Sequence, residues 1–229
     1  HQPGCFLFEN VPGLVTMEGG ARCSRRERRA SDRVVEDHYT PGKVFEAMLA
    51  EFEACGYDVS WRVISTRHWL PQHRERVYIV GFRVDLDVQM PWADLRAPDV
   101  PPTTLRGILE PSDSNAVAAC ELSCAQWETV QAQLAAYPRW GGIPCPLAER
   151  TVDIDGLHPT LTSSYHQASN FTSKFICEEA DGTLRDGTRH RPRFLTPREC
   201  ARLMGFSEAM PVPPTDDVHA TGRFYRLIG

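Results

Sequence analysis

Phe6-Leu7-Phe8-Glu9-Asn10-Val11 is an apolar run that stops on a carboxylate. Residues 5–8 read as a short buried strand, and Val11 to about Thr16 as the turn after it. A carboxylate at the end of a buried strand is costly unless it is paired or put to use. These residues alone leave two readings. Either Glu9 caps the turn that Asn10 and Pro12-Gly13 make, or it faces a site that the rest of the chain equips with basic residues.

Downstream, Thr40-Pro41 has the form of an N-cap followed by a first helical residue. Val44, Phe45, Met48, Leu49 and Phe52 then share one face at helical spacing, and Gly56 is placed to end the helix. Residues 57–65 alternate, with Val59, Trp61 and Val63 on one side, as a half-buried strand does. Residues 77–82, Val77-Tyr78-Ile79-Val80-Gly81-Phe82, form a more uniformly apolar strand. The order strand, helix, strand, loop, strand predicts the last portion of an α/β sheet with a closing pair of strands. Binding and catalytic loops lie at the carboxyl ends of such strands, which is where Glu9 falls.

The loop before the last strand is Leu70-Pro71-Gln72-His73-Arg74-Glu75-Arg76. Each arginine presents a planar fork that suits phosphate, carboxylate or a base carbonyl. The alternative is local pairing with acids such as Glu75. Residues 17–39 carry both charges, including Arg22, Arg25, Arg26, Arg28 and Arg29. They read equally as a basic loop against phosphates and as a solvated insertion.

Residues 86–190 change character. Prolines cluster at Pro98, Pro101, Pro102 and Pro111, and Leu105, Ile108 and Leu109 predict a short helix near Thr104. Trp127, Val130, Leu134 and Tyr137 make the core-facing stripe of another helix that Pro138 ends. Residues 150–190 predict an irregular, mostly β lobe. Within it, His158-Pro159-Thr160-Leu161-Thr162-Ser163-Ser164-Tyr165-His166 fits a nucleic-acid groove or a solvated turn. Arg193-Phe194-Leu195-Thr196-Pro197-Arg198-Glu199 opens the best-specified helix. Thr196 and Glu199 match the capping box, Pro197 takes the first helical position, and the helix runs to about Met204 before Gly205.

The chain has 229 residues and a formal net charge of −5, which does not favour nucleic acid but says little about a local groove. No apolar run approaches a membrane span, and no basic-then-apolar secretory start is present. The first residue is His1 and the last stretch is apolar, so the expectation is a portion of a longer protein. The eight cysteines contain no C-x-x-C pair, which argues against a zinc ribbon. Cys120 and Cys124, four apart, leave two metal ligands or, by default, reduced thiols.

Three ordered motifs then stand together: Glu9-Asn10-Val11 after an apolar strand, Gln72-x-Arg74-x-Arg76 leading into another, and Arg193-x-Leu195-Thr196-Pro197-Arg198-Glu199-Cys200-Ala201-Arg202-Leu203-Met204-Gly205-Phe206. In order and spacing they resemble the DNA (cytosine-5) methyltransferases. Tyr225-Arg226-Leu227-Ile228-Gly229 is similar to the start of that family's last motif. Leu105-Arg106-Gly107-Ile108-Leu109-Glu110-Pro111 and His158-Pro159-Thr160-Leu161-Thr162 are similar to stretches of its variable lobe.

The resemblance implies a fold and a chemistry. The fold is α/β: the C-terminal part of a Rossmann-like class I methyltransferase sheet plus a smaller irregular, mostly β target-recognition lobe. The catalytic part would be residues 1–85, the lobe 86–190, and a return segment 191–229 would rejoin the catalytic domain. The reaction is methyl transfer from S-adenosyl-L-methionine to C5 of a cytosine flipped out of double-stranded DNA. A cysteine thiolate adds to C6 and places negative charge on the ring. Glu9 would offset that charge at N3 and the exocyclic amine, with a pKa raised by partial burial. Arg74 and Arg76 would hold the base carbonyl, the nucleophile's surroundings and the flanking phosphate. Gln72, Arg193, Thr196, Pro197, Arg198 and Glu199 would organise the lobe.

The Phe-x-Gly-x-Gly cofactor loop and the Pro-Cys nucleophile loop of the family are absent from this chain, and Pro144-Cys145-Pro146 falls in the wrong place. The expectation is therefore a C-terminal fragment, inactive alone, monomeric, without metal or membrane, working wherever the DNA is: the cytoplasm or nucleoid of a prokaryote, or a nucleus or organelle. A non-catalytic DNA-binding remnant and a transfer-RNA cytosine-5 methyltransferase are the alternatives.

Overall fold

The computed structural model describes residues 1–22, 39–99, 103–136, 147–177 and 191–229. The chain forms two compact units, His1–Trp69 with Arg74–Pro101, and Leu70–His73 with Pro102–Gly229.

The first unit is built on a three-stranded antiparallel sheet of order β1-β6-β4, with β1 Cys5–Asn10, β4 Tyr57–Ser65 and β6 Glu75–Arg83. A two-residue ribbon, β2 Ala21–Arg22 with β3 Tyr39–Thr40, lies between β1 and helix α1, Lys43–Ala54. One sheet face buries Val63, Val77 and Ile79 against Phe45 of α1, as period-2 and period-3.6 patterns require when they share a core. Toward the carboxyl end of β6, Gly81 stands opposite Phe6, whose ring occupies the space a Cβ would take. The other face of β4 is crossed by residues 84–95. Gln89 donates to Asp58 at 3.1 Å, and the Trp92 indole donates to Ser60 at 3.0 Å.

Two local expectations are corrected. The helix does not start at Thr40-Pro41. Thr40 pairs with Ala21 in the ribbon, and Gly42 becomes the N-cap, its backbone amide donating to Val15 O at 2.8 Å. Nor is β1 buried: Leu7 is 66% and Phe8 50% exposed. Among the described residues β1 hydrogen-bonds only to β6, so an apolar strand sits at a sheet edge and is covered on one flank. Gly56 does end α1, with φ of +89°, a conformation open to glycine at little cost.

The second unit holds the larger core. Its regular elements are short: β5 Gln72–His73 pairs in parallel with β7 His158–Pro159, and the helices are α2 Asn115–Ala119, α3 Cys124–Ala136, α4 Pro197–Leu203 and α5 Val218–Ile228. The short helix near Thr104 is a 3-10 turn, Leu105–Ile108. On α3, Val130 and Leu134 are buried, with Trp127 packed beside them. The expectation of a mostly β lobe fails over residues 150–177, which are chiefly turns. Buried side chains do there what a ladder would do. Arg150, wholly buried, donates to Gln133 Oε1 at 2.6 Å and to the carbonyls of Ala168, Asn170 and Ser173. The Ser173 hydroxyl donates to the carbonyls of Tyr165 and Gln167. Turns rich in Ser, Asn and Thr favour such local bonds over extended pairing.

Residues 193–228 place Phe194, Leu195, Leu203, Tyr225 and Ile228 in the same core as Leu105, Leu161 and Phe175. Two buried tyrosines satisfy the backbone of Leu195. Its amide donates to Tyr165 Oη at 2.8 Å, and its carbonyl accepts from Tyr225 Oη at 2.5 Å. Among the described residues no helix is long and apolar enough to cross a membrane.

Candidate active site

Pairing register sets the first cluster. Glu9 on β1 stands opposite Tyr78 on β6, and Tyr78 stands opposite Arg62 on β4. Directly opposed residues share a face, so these three make a row across one side of the sheet. Arg76, two residues from Tyr78, shares that face. Its Nε lies 2.9 Å from Glu9 Oε1, the arginine side chain being 13% and the glutamate 46% exposed. The other prong of the guanidinium, Nη1, donates to the Glu75 carbonyl at 2.8 Å.

Burial holds Arg74 below its ordinary range, with the like charge of Arg76 acting the same way and Glu9 and Tyr78 opposing. The same setting, burial first and then Glu9, pushes the Tyr78 phenol up, so it stays protonated at neutral pH. The arrangement is a half-open carboxylate held on one oxygen by a well-packed guanidinium. Oε2 of Glu9 is open among the described residues. Such a group hydrogen-bonds an amide-like edge presented from outside, as donor or acceptor according to its protonation. Glu9 is partly buried, at the end of a strand that is itself exposed.

The second unit holds the other motif residues. Gln72 is fully buried on β5. Glu199, fully buried, is the hub of a closed cluster. Its Oε1 accepts from Arg193 Nη2 at 2.9 Å and the Glu110 amide at 2.8 Å; its Oε2 accepts from Arg193 Nη1 at 2.7 Å and the Thr196 amide at 2.8 Å. The Thr196 hydroxyl accepts from the Glu199 amide at 3.1 Å, completing the capping box, and donates to Glu110. Pro197 is buried at the first helical position, and Arg198 donates to the Met210 carbonyl at 2.9 Å.

Tyr78 and Arg62 were not singled out by sequence reasoning. Strand parity counted from Arg76 and then across the register finds them, but the register is a product of folding. The basic residues 23–38 and Pro144-Cys145-Pro146 lie outside the described residues. Cys120 and Cys200 are buried in the second unit, where burial pushes the Cys120 thiol up to about 11 and raises that of Cys200 as well. Neither is a ready nucleophile. Two cavities of the first unit do not fit S-adenosyl-L-methionine. They measure about 370 and 390 Å³ and are lined by residues such as Glu53, Asp58, Arg83 and Gln89, with neither Glu9 nor a glycine turn among them.

Comparison with known proteins gives the family. The sequence model of C-5 cytosine-specific DNA methylases matches residues 1–229. The type II methyltransferase M.DsaV of Dactylococcopsis salina is 29% identical over 94% of this chain and 51% of its own length. The DNA-cytosine methyltransferase of Escherichia coli K12 is 30% identical over 97% of this chain and 46% of its own. The chain thus spans about half the length of the relatives it matches. Among solved structures, the S. pombe Dnmt2 methyltransferase superposes with a TM-score of 0.57 at 18% identity, over 99% of this chain and 61% of its own. The Entamoeba histolytica methyltransferase EhMeth does so with 0.59 at 15%, over 100% and 58%. These likenesses give an α/β methyltransferase fold. With its whole length matched by the family model, the chain belongs to the C-5 cytosine-specific DNA methylases.

Proposed function

We propose that this chain is the part of a DNA cytosine-5 methyltransferase that engages the target base, with Glu9 as the group that meets the cytosine ring. The observation that carries the reading is the 2.9 Å contact between Arg76 Nε and Glu9 Oε1, which joins two family motifs on adjacent strands. Addition of a thiolate at C6 makes the ring electron-rich. A carboxyl group on N3 and the exocyclic amine shares or donates a proton there and lowers the barrier. Arg76 holds that carboxyl in place, and Arg74 beside it offers charge to the base carbonyl or a flanking phosphate.

In this reading the thiolate and most of the site for S-adenosyl-L-methionine, which supplies the methyl group, come from the half of the relatives' length that this chain does not span. The sheet of the first unit is the carboxyl-terminal part of a Rossmann-like sheet, residues 86–190 are the target-recognition lobe, and residues 191–229 are the return segment that rejoins the catalytic domain. The substrate is duplex DNA with the cytosine flipped out, at a cost of a few kcal/mol. The protein works as a monomer wherever that DNA resides.

The test is transfer of labelled methyl from S-adenosyl-L-methionine by the complete reading frame that carries this chain, offered duplex DNA or transfer RNA. Label at C5 of cytosine in duplex DNA is expected. Label in transfer RNA alone replaces the substrate, and binding without label leaves a DNA-binding role only.

A further inference from the structure

Arg76 and Glu9 belong to motifs that the sequence displays; what aims Arg76 does not. Parity along β6 turns Glu75 to the opposite sheet face from Arg76. There Glu75 is 6% exposed, a buried carboxylate that must be bonded to be tolerated. Its Oε2 accepts from Tyr39 Oη at 2.8 Å and from Arg22 Nη2. Arg22 and Tyr39 are the directly opposed pair of the β2–β3 ribbon, and the Arg22 guanidinium lies 5.3 Å over the Tyr39 ring.

The ribbon is itself fixed. Tyr39 is buried in the core that α1 makes with the sheet, and just beyond the ribbon the Lys43 amide donates to Glu18 O at 3.2 Å. Arg22 and Tyr39 thus bring two donors to Glu75 Oε2 from one anchored element, and the Glu75 carbonyl accepts from Arg76 Nη1. A guanidinium is a rigid planar fork. Seating one prong on the residue-75 carbonyl sets the direction of Nε, which is the atom that meets Glu9.

We propose that Glu75 is a positioning residue for the Glu9–Arg76 pair: the β2–β3 ribbon, through Arg22 and Tyr39, holds the backbone whose carbonyl aims Arg76 at Glu9. The coupling is a statement about the first unit alone; its effect on catalysis rests on the function proposed above. A Glu75 that merely closed the end of the sheet would lower stability and leave Arg76 as it is in molecules that stay folded.

Two measurements separate these. In this chain, the Arg76 Nε–H resonance in 15N NMR reads the bond to Glu9 directly. In Glu75→Gln its hydrogen exchange is expected to quicken by about threefold or more, while core amides of β4 and β6 hold their protection. In the complete enzyme the same variant is expected to lower kcat about tenfold with KM for DNA within about twofold, since Glu75 does not touch substrate. Unchanged Arg76 Nε–H exchange overturns the proposal, as does kcat within about twofold of wild type. If Glu75→Gln does not fold, Tyr39→Phe decides by the same resonance, because it keeps the ring in the core and removes one donor. Altered Arg76 exchange beside a wild-type enzyme that does not methylate DNA supports the coupling and removes the proposed function instead.

Discussion

Two of the molecule's glutamate–arginine pairs, one in each unit, differ in how many bonds the carboxylate has left to make. In the second unit Glu199 has none. Four donors fill its two oxygens, and no part of it reaches solvent. In the first unit Glu9 meets Arg76 through one oxygen and is 46% exposed. A filled, buried pair fixes local structure and is costly to break from one side. A half-filled, half-open pair adds little to stability and keeps capacity for a ligand. The same residue types thus divide into a carboxylate with every bond made and one with a bond to spare.

The contrast is broken most sharply at Glu199. Glu199→Ala leaves Arg193 buried without its carboxylate and is expected to lower the unfolding free energy of the second unit by roughly 3–5 kcal/mol in urea titration. A loss below about 1 kcal/mol would place Glu199 with the exposed pairs.

The second unit also closes around a neutral histidine. Burial first, and the Lys174 charge after it, push His158 down to about 4, against the Pro159 carbonyl that accepts from its Nδ1 at 2.5 Å. In the unfolded chain the ordinary value is about 6.5. Between these values the unfolded state binds more protons, so stability rises with pH. This contribution is complete above about pH 6.5 and is lost as pH falls toward 4, on the order of 3 kcal/mol in all. His158→Asn should flatten that slope in denaturation followed from pH 7 to pH 4.

For the working pair the ordering reverses. Glu9→Gln in the complete enzyme should slow methyl transfer about a hundredfold, equivalent to about 2.7 kcal/mol, while sparing DNA binding. Turnover within about threefold of wild type would take Glu9 out of the chemistry. Thr196→Ala, which removes the cap hydroxyl but leaves Glu199, should cost about 1 kcal/mol by the same urea titration. The smallest effect sharpens the comparison further: Glu9→Gln should alter stability by no more than about 0.5 kcal/mol.

What the sequence made legible was local. Thr196, Pro197 and Glu199 specify α4 through contacts three residues apart, and the observed capping box follows the pattern. The alternation over Tyr57–Ser65 and the stripe on α3 are likewise written in neighbouring residues. The failures are where distant partners decide. Thr40 had a cap's chemistry but was claimed by Ala21 in the ribbon. Residues 150–177 had the look of short strands, yet Arg150 and Ser173 gather their carbonyls into turns. Phe6–Phe8 had a buried strand's composition and took an edge. At the site, the motif residues Glu9, Arg74 and Arg76 could be marked in advance. Tyr78, Arg62 and Glu75 could not, because each depends on register or on a partner far off in sequence.

The ribbon has a consequence for stability. Arg22 and Tyr39 face each other, so two positions far apart in sequence are held side by side. Closing a longer excursion at such a point costs only about 0.6 kcal/mol per doubling of its length. The number of residues joining Arg22 to Tyr39 therefore enters the stability of this unit only logarithmically, provided that both residues and their common acceptor Glu75 are kept.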